Sequence, residues 1–252
     1  MIISKKNKYI FIGIPLSGSS SIINELIQNY DGESYHHKHS DFTILSKKER
    51  LLYNNFKVIA VLRDPIEIEF TAYNKLIQNS EGQYTSKERF IENGGYTSRF
   101  DRFLFKKIND LNLSFEDYLL LKFKFRPYNN QFSLNCNYVN HIIRFKNLNN
   151  DFKELIKDMN LEVKRELPQI NKTKNKKIIP DLDHQLKKRI FSPFIYHHRK
   201  FYSTDFYPQA NYTDIISFKV YNQLWKKRKS YISKRYLNKS FENKKLFWKL
   251  EK

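Results

Sequence analysis

Three groups of residues carry side chains or backbone suited to chemistry. The first is the run Pro15-Leu16-Ser17-Gly18-Ser19-Ser20-Ser21, set between an apolar stretch and a helical pattern. Backbone N–H groups at the start of a helix attract anions, and small side chains let a phosphate or sulfate come close. The second is Arg63, directly after the apolar stretch 57–62. Its planar fork can meet two oxygens of a phosphate at once, and a surface pairing with Glu67 is the alternative use. The third is the cluster His36, His37 and His39 on a polar segment between the other two. Such a cluster reads as a solvated loop or, next, as a metal site, since imidazole titrates near neutral pH and ligates readily.

The elements that must position these groups follow from hydrophobic patterning. Lys8–Ile14 and Lys57–Leu62 are short continuous apolar runs, the pattern of strands buried on both faces, and Val139–Phe145 reads as a third. Ile22, Ile23, Leu26, Ile27 and Tyr30 follow the first strand at helical spacing. After the second strand, Asp64 can cap a helix with Pro65 at its first position and Glu67 reaching back to the cap. Further helices are predicted from near Ser114, around Phe152–Met159, and over Asp181–His198, where Pro193 should break the pattern. Alternating strands and helices predict an α/β domain with a parallel sheet over residues 1–207, followed by a basic, aromatic helical extension over 208–252.

Bulk properties narrow the class. The chain has 252 residues, of which 40% are hydrophobic and 16% aromatic, enough for a large core. Only 6 Gly and 7 Pro argue against a sandwich of many short strands. The net charge of +20 gathers toward the C-terminus and attracts polyanions such as nucleotides, acidic glycans, nucleic acid or anionic lipid. Cys136 stands alone, which excludes an internal disulfide and reads as a small buried hydrophobe. No basic leader followed by an apolar stretch and cleavage site is evident, and no apolar run approaches the ~20 residues of a membrane span. The expectation is a soluble, cytoplasmic protein.

The stretch Tyr9–Ile22 resembles the 5′-phosphosulfate loop hIPKTGGTSh of the carbohydrate sulfotransferases, more closely than it does the nucleotide loop GxxxxGKS/T, whose Lys is replaced by Ser19. The resemblance implies that Leu16, Ser17, Gly18, Ser19, Ser20 and Ser21 wrap the donor, 3′-phosphoadenosine 5′-phosphosulfate (PAPS). Leu16 occupies the family's Lys position, and one preorganised electrostatic group is worth on the order of 10²–10³ in rate. Val61–Asn74 is similar to the second family motif, hhRxPxxRhhSxYx, in which Arg63 and Thr71 would grip the 3′-phosphate. Tyr35-His36-His37-Lys38-His39 is similar to the Y-H-x-H segment of the heparan sulfate uronosyl 2-O-sulfotransferases, which implies His39 as catalytic base with His37 as companion or substitute.

The likeness continues through residue 207. Leu113–Tyr118 resembles a helix opening, Asn130-Gln131 a substrate-side turn, and His141–Phe152 the RFExLxxDF stretch, with a structural ion pair as the other use of Arg144. Leu167–Thr173 resembles the LPxxNxS segment that closes over the nucleotide through Asn171, Lys172 and Thr173; Lys172, Lys174, Lys176 and Lys177 read equally as donor contacts or as a solvated loop. Tyr202–Phe206 matches the terminal YxxDF. The resemblance implies a P-loop-like parallel sheet flanked by helices and transfer of a sulfuryl group from PAPS to a carbohydrate hydroxyl without a metal. Lys38 or Lys172 could replace the missing Lys. Two rivals remain: a non-catalytic module holding nucleotide or anionic glycan, and a small-molecule kinase, which the lack of a Walker Lys and of an evident Mg²⁺-binding acid disfavours. For the tail, packing on the domain leads, ahead of an anionic acceptor surface, a membrane-surface helix and nucleic acid.

Overall fold

Side chains alternate between the two faces of a strand, so a run that is apolar at every position needs cover on both sides. The computed structural model describes residues 1–168 and 178–240, with side chains to residue 230, and it meets that need with a five-stranded sheet between helical layers. β1 (Ile2–Ser4), β2 (Tyr9–Ile12), β3 (Glu33–Ser34), β4 (Lys57–Leu62) and β5 (His141–Arg144) lie in the order β3-β1-β2-β4-β5. Tyr9, Phe11, Ile59, Val61 and Ile143 point to one face, while Ile10, Ile12, Val58, Ala60 and Leu62 point to the other.

The first face is covered by α1 (Ser19–Asn29) and α7 (Leu148–Asp158), through Ile22, Leu26, Phe152, Leu155 and Ile156. Opposite lie Phe42, Leu45, Tyr53 and Phe132, from the segment leading into α2 (Lys47–Leu52), its C-cap and α6 (Phe132–Asn135). A second apolar body joins α3 (Pro65–Gln78), α4 (Arg99–Leu111), α5 (Phe115–Lys122), α8 (His184–Ile190), α9 (Ser192–His197) and α10 (Tyr212–Ser240).

The sheet is mixed, which corrects the expectation of a wholly parallel one. β2, β4 and β5 run parallel, with Ile12 opposite Ala60 and Ile59 opposite His141. β1 runs antiparallel to both β2 and β3. The cause is the turn Lys5-Lys6-Asn7-Lys8, where Lys8 takes a left-handed backbone (φ 51°) and Asn7 N–H donates to Ser4 Oγ at 3.1 Å. That reversal makes the first residues a strand of their own rather than a lead-in to β2.

Helix α3 begins as its sequence dictates: Asp64 accepts from the N–H groups of Ile66 and Glu67, and Pro65 occupies the first turn. Glu67 does not reach back to the cap, because its carboxylate is drawn to Arg63. Pro193 falls in the first turn of α9, and the chain breaks between Ile190 and Ser192. Ile215, Phe218 and Asn222 of α10 are buried at helical spacing against the body. Asn222 Oδ1 accepts from Asn129, whose own Oδ1 accepts from Ser133 Oγ, and Ser133 Oγ meets His198 Nε2 at 2.8 Å. Among the described residues no helix is long and apolar enough to cross a membrane.

Candidate active site

The loop after β2 is built by its own small side chains. Ser17 and Ser19 are buried, and both hydroxyls donate to the Ile14 carbonyl, at 2.7 and 3.1 Å. They hold the turn from within. Gly18 caps α1 in a left-handed conformation (φ 75°), and a Cβ there would stand 2.9 Å from the Phe145 ring. α1 has neither a side-chain cap nor an acid in its first turn. The N–H groups of Ser19, Ser20 and Ser21 thus belong to the positive end of an eleven-residue helix, the donor set that a phosphate or phosphosulfate requires. Leu16 also adopts a left-handed backbone (φ 60°), a conformation that costs a non-glycine residue about 1–2 kcal/mol.

Two groups distant in sequence hold this loop, one at its start and one at its middle. At its start, the 37–39 segment packs over Gly13, where a Cβ would lie 2.6 Å from the Lys38 carbonyl oxygen. His39 Nδ1 stands 2.7 Å from the Gly13 carbonyl. A carbonyl only accepts, so Nδ1 carries the proton and the lone pair is left on Nε2. Burial, with His37, Lys38 and the chain amine adding to it against the Gly13 bond, pulls the His39 pKa down to about 4. The imidazole is therefore neutral at pH 7. Its backbone is fixed as well: Gln131 Nε2 donates to the His39 carbonyl, and His39 N–H donates to His37 Nδ1 at 3.2 Å. Phe42 N–H is held by Asn135 Oδ1 at 2.7 Å, and the Met1 nitrogen donates to the His37 carbonyl at 2.7 Å.

At the middle of the loop, Arg63 Nη1 donates to the Leu16 carbonyl at 2.7 Å. The positive φ of Leu16 goes with a carbonyl that meets this guanidinium. Arg63 Nε pairs with Glu67 Oε2 at 3.2 Å, so the pairing open on sequence grounds is present, and Cζ lies 4.1 Å above the Phe145 ring. Burial lowers the Arg63 pKa, opposed by Glu67 and Asp64, as befits a cation held in a partly dry site. Thr71 Oγ1 donates to the Glu67 carbonyl at 2.9 Å, and Lys146 Nζ lies 3.8 Å from the Glu67 carboxylate. Glu67 thereby collects the cations that a bound phosphate would use.

The structure thus gathers Leu16, Ser17, Gly18, Ser19, Ser20, Ser21, Arg63 and His39 around one loop, with His37 supporting His39 and Thr71 tied to Glu67. Lys38 is exposed, its carbonyl rather than its ammonium against Gly13. Asn171, Lys172 and Thr173 lie outside the described residues, as do Lys174, Lys176 and Lys177. Arg144 uses its backbone N–H, which donates to Asp151 Oδ2 at 2.7 Å. Glu69 is buried and accepts from Tyr118 Oη at 2.7 Å and Lys122 Nζ at 2.6 Å. Phe145 is a contributor that sequence reading misses, though an aromatic directly after a third core strand is the signal that could find it. Among the described residues no group of three or more His, Cys, Asp or Glu is placed to hold a metal ion. Comparison with models of known families, with curated proteins and with solved structures gave no match.

Proposed function

We propose that the chain is a PAPS-dependent sulfotransferase with a sulfotransferase-type fold, acting on a hydroxyl of a carbohydrate acceptor. One observation carries this reading. A neutral imidazole and a guanidinium are bonded to two carbonyls of the same anion-ready loop, those of Gly13 and Leu16, both at 2.7 Å. The first-turn N–H groups of α1 would hold the phosphosulfate, with Arg63 and Thr71 toward the 3′-phosphate once Glu67 yields. PAPS supplies the activated sulfuryl group. His39 Nε2, its lone pair set by the bond at Nδ1, takes the proton of the acceptor hydroxyl. Gln131 keeps the ring in place through the His39 backbone, and Phe145 keeps the Arg63 fork flat beside the loop.

Calorimetric titration with 3′-phosphoadenosine 5′-phosphate, alongside ATP and without metal, tests the reading. Binding of the bisphosphate that ATP does not match, and that Arg63→Ala weakens about ten-fold or more, is the expected result. Binding of neither nucleotide would sink it.

A second reading, a module that holds nucleotide or anionic glycan without turnover, is favoured by two features of this site. Leu16 stands where a cation is wanted, and Arg63 is engaged by Glu67. Bisphosphate binding together with no sulfation across a panel of sugar acceptors would select it.

A further inference from the structure

A second basic site lies apart from the loop, in a cleft of about 440 Å³ between α9 and α10. It is lined by Tyr196, His197, Arg199, Lys200, Tyr212, Ile215 and Lys219. Arg199 holds its guanidinium 4.6 Å above the Tyr196 ring. Arg199, Lys200 and Lys219 have no carboxylate partner among the described residues, and no acid lines the cleft. Burial first, then Lys226 and Lys219, hold His197 below its ordinary pKa, so the field there is positive even with a neutral imidazole. Uncompensated cations beside aromatic rings suit a phosphate ester.

The outward face of α10 adds a second feature. Tyr212, Ile216, Val220 and Leu224 recur every four residues and are 77%, 42%, 57% and 61% exposed. Such a row lies on one side of a helix, here the side turned from buried Ile215, Phe218 and Asn222. Tyr212 belongs to both row and cleft. Between residues 212 and 230 the sequence places Lys219, Lys226, Lys227, Arg228 and Lys229 against the lone acid Asp214. An isolated phosphate needs only the cleft, and a nucleic acid gains little from aliphatic side chains. A bilayer surface bearing anionic headgroups uses both: phosphate in the cleft, Ile216, Val220 and Leu224 among the acyl chains, and lysines along the headgroup plane.

We propose that the α9–α10 cleft and the outward row of α10 form a docking site for an anionic phospholipid surface. The site is independent of the nucleotide reading and stands or falls separately from it. Co-sedimentation of the full chain with phosphatidylcholine vesicles, with and without phosphatidylserine, tests it. The chain is expected to bind only the anionic vesicles. Arg199→Gln with Lys219→Gln should weaken binding about five-fold per cation removed. Ile216→Asp with Val220→Asp should weaken it about ten-fold or more, and Ile216→Ser with Val220→Ser should weaken it in the same direction without adding charge. Lys47→Gln with Lys48→Gln, an equal charge change on α2, should have a smaller effect than the cleft pair, and circular dichroism checks that each variant is folded. Equal losses from the α2 and cleft pairs would overturn the proposal in favour of general attraction by the +20 charge. Binding that ignores the row variants and is competed by inorganic phosphate would make the cleft a soluble-phosphate site. Preference for an oligonucleotide over vesicles, or a dimer in light scattering that the row variants dissociate without vesicle binding, would overturn it equally.

Discussion

At Arg63 the field is already partly neutralised from within. The Glu67 carboxylate lies on Nε, with Lys146 at 3.8 Å on its other oxygen, and an entering phosphate must compete with it. Glu67→Gln removes that repulsion while keeping the side-chain shape, so bisphosphate affinity measured by calorimetry should rise about five- to ten-fold. On the proposed reading, Leu16→Lys adds a cation at the loop and should raise sulfation on the order of 10²-fold. On that reading, His39 would act as a base only when unprotonated. With its pKa held near 4 by burial, kcat/KM should climb as pH rises through about 4 and stay flat from 5 to 7. An ordinary imidazole would bend the profile near 6.5 instead. His39→Ala should abolish turnover and leave bisphosphate binding intact.

Among the elements, α3 and α5 are locked by a buried ion pair rather than by apolar contact alone. Lys122 Nζ and Tyr118 Oη both serve Glu69, whose side chain is 7% exposed. Lys122→Met leaves that carboxylate without its counter-charge and should lower stability by about 3 kcal/mol, read from urea unfolding. The same helix shows what sequence could and could not yield. Asp64-Pro65 marked its start, because capping chemistry is local and an Asp followed by Pro leaves few other conformations. The Glu67 partner was a choice between Asp64's N–H and Arg63, and only tertiary placement of the strand end decides it. β2 and β4 were legible as apolar runs, whereas β1, three residues long, offers no periodicity to count. α4 carried a signal that was passed over: Ser98 and Asp101 cap it reciprocally, with Asp in place of the usual Glu. For the site, the loop, Arg63 and His39 were each visible by residue type. That His39 would turn its Nδ1 to Gly13, and that Phe145 would lie under Arg63, depends on contacts between segments 26 and 82 positions apart. No local pattern encodes these.

Among the described residues, burial lowers the pKa of His39, His141, His197 and His198, most strongly for His39 and His198, so protonation of these rings opposes folding. Burial, with His197 and Lys226 nearby, holds His198 to about 3, and His39 sits near 4. As pH falls below about 6.5 the unfolded chain takes up these protons first, so the contribution of both groups is complete above 6.5 and is lost progressively toward 3. The unfolding free energy from urea titration should drop between pH 7 and 4 by an amount on the order of a few kcal/mol, and His198→Gln should flatten the fall. Long reach also marks the body as a whole. Tyr207 Oη donates to Asp64 Oδ2 at 2.8 Å across 143 positions of chain, tying the segment before α10 to the cap of α3. During synthesis at ~5–20 residues per second, Asp64 leaves the ribosome roughly 7–30 s before the tyrosine that secures it. The nascent chain therefore passes a considerable interval with the cap of α3 lacking this tie, although Arg63 and the earlier-made Leu16 can already meet.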